Sequence, residues 1–235
     1  MRHPSAAAVV LACLFAASPG LAGAQAAPRT LETLGLAVGQ SADEVDSITR
    51  ALGYVLLSRK TLPAAAGMPA HVAEVFYVRR SPQGERQAAI GIGFGPLTGK
   101  ALVIAREETL DKPRAVSAAR AEMVQKYGPA LPSEGGLHEL HWAALKDWSS
   151  PNSVSKCWPA AYPVVSYQQD LPGHRHCRSG VEVLLGKGAS TFSVLRLSLA
   201  DFDRYVSEWG AYARQLREAQ HADLKRTQSR PAPKP

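Results

Sequence analysis

Cysteine, long apolar runs and an excess of one charge are all in short supply, and each shortage narrows the reading. Three cysteines stand among 235 residues, at positions 13, 157 and 177, with no C-x-x-C pair. Beyond the extreme N-terminus no stretch approaches the roughly 18 apolar residues that a membrane helix needs, so the body of the chain is expected to be soluble and not membrane-spanning. The charge balance is only +7, with Lys225, Arg226, Arg230 and Lys234 gathered at the C-terminal end. The rest is too evenly mixed for a nucleic-acid stripe, and no nucleic-acid partner is expected. There is no Gly-X-Y period and no heptad repeat, while 46% hydrophobic and 20% charged residues exclude wholesale disorder.

Familiar catalytic and cofactor motifs are missing as well. Gly91-Ile92-Gly93-Phe94-Gly95 has the glycines of a phosphate loop, but they alternate inside a strand and run into Pro96 rather than a helix start. Period two instead puts Ile90, Ile92 and Phe94 on a core face and leaves the opposite face bare. Gly99-Lys100 lacks the glycine and the Ser/Thr that a P-loop requires, so no nucleotide and no other cofactor is expected. His138-Glu139-Leu140-His141 spaces its histidines by three, which in a strand sends them to opposite faces as a partly exposed pair. No G-x-S-x-G elbow occurs, and no catalytic residue is assigned.

What is present begins with the N-terminus. Met1-Arg2-His3 is a short cationic start, Ala6 to Ala17 an apolar segment, Ser18-Pro19-Gly20 a break, and Ala22-Gly23-Ala24 supplies the small residues that signal peptidase accepts. Residues 1–24 therefore read as a signal peptide and 25–33 as a leader, and the mature chain is expected to be periplasmic or secreted. Cys13 is preceded by Val10-Leu11-Ala12 and followed by further apolar residues, which is not the setting of a lipid anchor. In an oxidising compartment the remaining Cys157 and Cys177 read most simply as one disulfide closing a loop of 21 residues, worth about 3 kcal/mol. His174 and His176 beside Cys177 offer a Cys/His alternative, but without C-x-x-C spacing no metal is expected.

Ser41-Ala42-Asp43-Glu44 is a capping box that opens a helix carrying Val45, Ile48 and Leu52, stopped by Gly53. Strands follow over 54–59, 72–79, 87–94 and 100–107. Asp111 is expected to cap a second helix with Val116, Ala119, Met123 and Tyr127 on one stripe, ended by Gly128-Pro129. Further strands are expected over 137–142, 162–168, 181–185 and 192–199. A last helix from Asp201 presents Phe202, Tyr205, Trp209, Tyr212 and Leu216 on one face. This order predicts an α+β fold, a tandem duplication of a helix-plus-antiparallel-sheet unit (34–110 and 111–220) with the helices on one face of the sheet, and a disordered basic tail over 221–235.

Aromatic residues gather in the second half. Trp148 and Trp158 lie in a polar loop around Cys157, and with Tyr162 and Tyr167 they are the candidate binding residues. Rigid aromatics on a stapled loop offer large contact area at little entropic cost; the alternative is core packing.

The stretch Leu34 to Tyr54, LGLAVGQSADEVDSITRALGY, resembles the helix opening of small bacterial envelope proteins: the outer-membrane-assembly small lipoproteins and the β-lactamase inhibitory proteins. Lys126-Tyr127-Gly128-Pro129 followed by Trp142 is similar to a pattern in exported proteobacterial proteins. The inhibitors imply two tandem helix-plus-sheet units whose concave sheet grips a partner. The chain departs from both, lacking the lipoprotein cysteine and placing its bridge in the second half alone. Together these readings predict an exported, non-enzymatic binding protein of the envelope, engaging a protein partner or an envelope component through its sheet face and aromatic loop. An inhibitor or immunity protein that blocks a hydrolase is the alternative, and a hydrolase with an unrecognised site a third.

Overall fold

The structure, a computed structural model, describes residues 27–132, 136–146, 177–186 and 190–228. A short ribbon, β1 (Glu32–Thr33) with β2 (Leu36–Ala37), precedes helix α1 (Ala42–Ala51). A meander of β3 (Val55–Leu62), β4 (His71–Arg80), β5 (Arg86–Phe94) and β6 (Ala101–Ala115) leads to α2 (Val116–Tyr127). Then come β7 (Glu139–Leu145), β8 (Cys177–Leu185), β9 (Thr191–Asp201) and the long α3 (Phe202–Gln228). The α+β class is as the sequence implies. The seven strands β3 to β9 form one antiparallel sheet in the order β3-β4-β5-β6-β9-β8-β7, so the last strands of the two meanders, β6 and β9, pair at its centre.

Local chemistry explains the first helix. Ser41 N donates to Glu44 Oε2 at 2.7 Å and Glu44 N to Ser41 Oγ at 3.4 Å, which completes the capping box. Gly53, at φ 78°, turns the chain out into β3 in a conformation that glycine adopts freely. The second helix starts differently from expectation. Asp111 does not cap it: β6 runs on to Ala115 because Arg114 and Ala115 pair with Phe192 and Thr191 of β9, and Asp111 instead accepts from Gln87 Nε2 at 2.7 Å. Ala115 is the N-cap and provides no side-chain hydrogen bond.

The C-terminus of α2 explains the Lys-Tyr-Gly-Pro…Trp pattern. Trp142 is fully buried in β7, packs against Tyr127 with ring centroids 5.2 Å apart, and donates from Nε1 to Gly128 O at 2.7 Å. The indole thus supplies a donor to a helix-end carbonyl that the backbone leaves unpaired. The segment read as a leader is tied to the same place: Arg29 N donates to Tyr127 O at 3.1 Å and Tyr127 Oη to Glu32 O at 2.9 Å.

Two apolar clusters occupy opposite faces of the sheet. Val45 of α1 and Val116 and Ala119 of α2 pack with Tyr77, Ile90, Ile92, Ile104, Leu197, Leu199 and Trp142. Phe202 and Tyr205 of α3 pack instead with Val103, Ala143 and Ala200. Val103 and Ile104 are successive strand residues and point to opposite faces. The expectation of helices on one face is therefore corrected: α1 and α2 cover one face and α3 crosses the other. Leu195, Leu197 and Leu199 of β9 face the first cluster, while Ala200 at its end faces the other side and packs with Phe202 and Tyr205 of the helix that follows. That helix also continues to Gln228, through the start of the stretch expected to be disordered.

Candidate functional site

Strand register aligns the α3 face into three rows. Glu74, Gly93, Val103, Ala200, Gly180 and Ala143 form the first. Phe76, Gly91, Ala105, Ser198, Glu182 and His141 form the second, and Val78, Ala89, Glu107, Arg196, Leu184 and Glu139 the third. Val103, Ala200 and Ala143 of the first row pack with α3. In the second and third rows a shallow depression of about 40 Å³ opens beside the helix.

Its floor is Ala89, Gly91, Ala105 and Ser198, its wall Phe76, and its lip Arg86, Glu107 and Arg196, with Arg106, paired to Glu108, also lining it. Small side chains make the hollow: Gly91 and Ala105 lie directly opposite one another on β5 and β6, so neither strand fills the space above the sheet. At the lip one carboxylate bridges two guanidiniums, with Arg196 Nε donating to Glu107 Oε2 at 2.8 Å and Arg86 Nη2 to Glu107 Oε1 at 3.2 Å. The three charges sum to one net positive charge beside an apolar floor.

Next to the depression the second row becomes polar and buried. Glu182 and His141 are 6% and 5% exposed. His141 Nδ1 lies 3.8 Å from Glu182 Oε1, outside hydrogen-bond range, and its Nε2 lies 3.6 Å from Glu139 Oε2. Among the described residues His141 Nδ1 has no hydrogen-bond partner. Burial pushes the Glu182 carboxyl up to about 8, with the Glu139 charge adding to the rise. Burial pulls the His141 imidazole below its usual value, against the opposing effect of Glu139. At neutral pH the pair is therefore an uncharged contact rather than a salt bridge, despite the short separation.

Ser198, Glu182 and His141 carry the residue types of a hydrolytic triad, but their order does not assemble one. Glu182 stands between the other two, and two strand spacings put about 10 Å between the Ser198 and His141 backbones. A nucleophile needs its base within hydrogen-bond reach. What the row offers is a hydroxyl at the edge of a hollow, backed by a neutral acid.

Of the residues expected to act, Cys177 lies in β8, fully buried and opposite Leu145. Cys157, Trp148, Trp158, Tyr162 and Tyr167 lie outside the described residues, as does the strand expected over 162–168. The bare face of the glycine strand is present as read: Ile90, Ile92 and Phe94 are fully buried in the core and Gly91 floors the hollow. His141 corrects the picture of a partly exposed pair: in β7, paired with β8, it is buried at 5% exposure. Sequence reasoning missed Glu182, Ser198, Phe76 and the Arg86–Glu107–Arg196 lip. Only the period-two glycines pointed toward them. Among the described residues no cluster of metal-ligating side chains and no helix long and apolar enough to cross a membrane occurs. No protein-family model, curated protein or solved structure matches the chain.

Proposed function

We propose that the chain is an exported, non-enzymatic binding protein of the cell envelope that engages a protein partner on the open part of its α3 face. The observation that carries this reading is the hollow over Gly91 and Ala105, an apolar recess with one aromatic wall and a charged lip. A concave surface with an apolar base and few, convergent polar groups is a form that recognition sites take. The signal-peptide-like N-terminus supports export, and a bridge between Cys157 and Cys177 would tether the aromatic loop to β8. The succession of a helix and an antiparallel meander, first α1 with β3 to β6 and then α2 with β7 to β9, supports descent from a duplicated unit.

A photo-crosslinking residue in place of Phe76 tests the site in the full-length chain. It is expected to couple to one protein species recovered from the envelope fraction. Ala105→Trp, which overfills the recess, should remove that adduct at the cost of a lower melting temperature, and the comparison is made at a temperature where melts show the variant folded. An adduct that persists at full yield in Ala105→Trp would place the partner elsewhere.

A further inference from the structure

We propose that the outer ridge of α3 docks on the anionic headgroups of a membrane surface and holds the chain there without crossing it. The inference goes beyond the partner-binding reading above and does not depend on it. Two observations carry it: an overhang of helix that the sheet does not support, and a run of cations along one side of that overhang.

The overhang begins where α3 leaves the sheet. Tyr212 is its last buried residue, and the ring meets His71, the first residue of β4, edge to face with centroids 6.3 Å apart. The helix continues to Gln228, about 24 Å further. From Gln220 to Gln228 every residue is exposed. Helical turns without tertiary cover are marginal in water, so this segment gains from a surface that accepts it.

The residues of the overhang say which surface. Arg214 lies two positions past Tyr212, about 200° around the helix axis, and so points away from the sheet. Arg217, His221 and Lys225 follow at steps of three, four and four, which keeps all four side chains on one ridge. All four residues are exposed, and among the described residues no ion pair reaches Arg214, Arg217 or Lys225. Glu218 borders the ridge, while Asp223 lies on the Tyr212 side of the helix and pairs with Arg226 at 3.8 Å. From Arg214 to Lys234 six cations stand against two acids, so more than half of the chain's net charge of +7 is gathered there. Clusters of this kind on a helix are drawn to anionic lipid.

Leu224 favours lipid over nucleic acid. It lies seven residues from Arg217, so it stands in the same ridge, and it is 58% exposed. An aliphatic side chain among cations finds the acyl boundary at a lipid surface, whereas a phosphate backbone offers it nothing. The ridge also carries no aromatic ring on which a base could stack.

The test is flotation of the full-length chain with vesicles of phosphatidylcholine alone and with vesicles in which about a third of the lipid is phosphatidylglycerol. The N-terminal apolar segment is common to every sample, so the comparison isolates the ridge. Partition is expected to be about tenfold stronger onto the anionic vesicles and to fall to the neutral level as salt rises to about 0.5 M. A chain carrying Arg214→Gln, Arg217→Gln and Lys225→Gln should lose the preference and keep its melting temperature, because all three side chains are exposed. A charge-matched chain carrying Arg59→Gln, Lys112→Gln and Arg178→Gln, three exposed residues outside α3, should retain it. Equal partition onto both vesicles, a preference that survives the ridge substitutions, or one lost equally in the charge-matched chain overturns the proposal. So does tighter capture by a duplex DNA oligonucleotide than by the anionic vesicles, which would make the ridge a nucleic-acid contact.

Discussion

Glu182 is the residue whose environment departs furthest from what its chemistry prefers. A carboxylate buried in the second row, with Glu139 nearby and no cation on its own row, gains nothing by ionising, and its titration moves up to about 8. The folded state then holds a proton that the unfolded chain releases near 4.5. Stability from this group is complete below 4.5 and is lost as pH rises through about 8. His141 acts in the opposite direction: its lowered value costs stability as pH falls below 6.5, when the unfolded chain takes up a proton that the buried ring refuses. Glu182→Gln, which keeps the shape and stays neutral, should remove the alkaline loss and leave the acid loss in place. Melts across the window should show the variant overtaking the parent on the alkaline side, by on the order of 2 kcal/mol. A parent whose stability is flat from pH 6.5 through 8 would mean that the carboxyl is solvated. None of this was legible from the sequence. His141 was visible as half of a histidine pair, but its partner is set by β7–β8 register, and the two residues are 41 positions apart in the chain.

At the scale of elements, α3 is held to the sheet by a contact that its amphipathic stripe does not announce. Glu208 is buried at 8% exposure, and its carboxylate accepts from Thr98 N at 3.1 Å, Leu97 N at 3.4 Å and Thr98 Oγ1 at 2.8 Å. The acid thereby closes the turn between β5 and β6 and fixes where the helix crosses. Gly95 permits that approach, since a Cβ there would push the Glu208 carboxylate off the Thr98 donors. Gly95→Ala should cost about 1–2 kcal/mol, the value of the Glu208 hydrogen bonds that the displaced carboxylate gives up. The same substitution in a Glu208→Ala background should cost clearly less, because the clash is gone. A thermal double-mutant cycle checks this, and simple additivity would rule the contact out as the cause. Sequence patterning identified the apolar stripe of α3, with Phe202, Tyr205 and Tyr212 all buried, because a helical period is a local property. It did not choose the face. Both sides of β9 are apolar at that end, so the stripe alone fits either. The same limit explains Asp111: a capping residue is recognisable within a few positions, but pairing of Arg114 and Ala115 to β9 lengthened β6 and moved the helix start beyond its reach.

Across the whole molecule, the two helix-plus-meander halves are visible in the sequence because each is ordered locally, while their union is not. The halves share one sheet through β6 and β9, and they share its cover. Ile92 and Ile104 of the first half lie in one cluster with Leu197, Leu199 and Trp142 of the second. Glu208 of the second half closes a turn of the first. Fragments spanning 25–115 and 116–235 are therefore expected to fail as separate domains. The first would present β6 as an unpaired edge with Val103 uncovered, and the second would leave β9 open and α3 without the turn that anchors it. Neither should show a cooperative thermal transition alone, and mixing the two should restore one close to that of the intact chain. Circular dichroism melts of each fragment and of the mixture decide the matter. A sharp transition in either fragment by itself would make the halves independent units. The recess would then span a joint between two domains, since its floor draws Gly91 and Ala105 from the first half and Ser198 from the second.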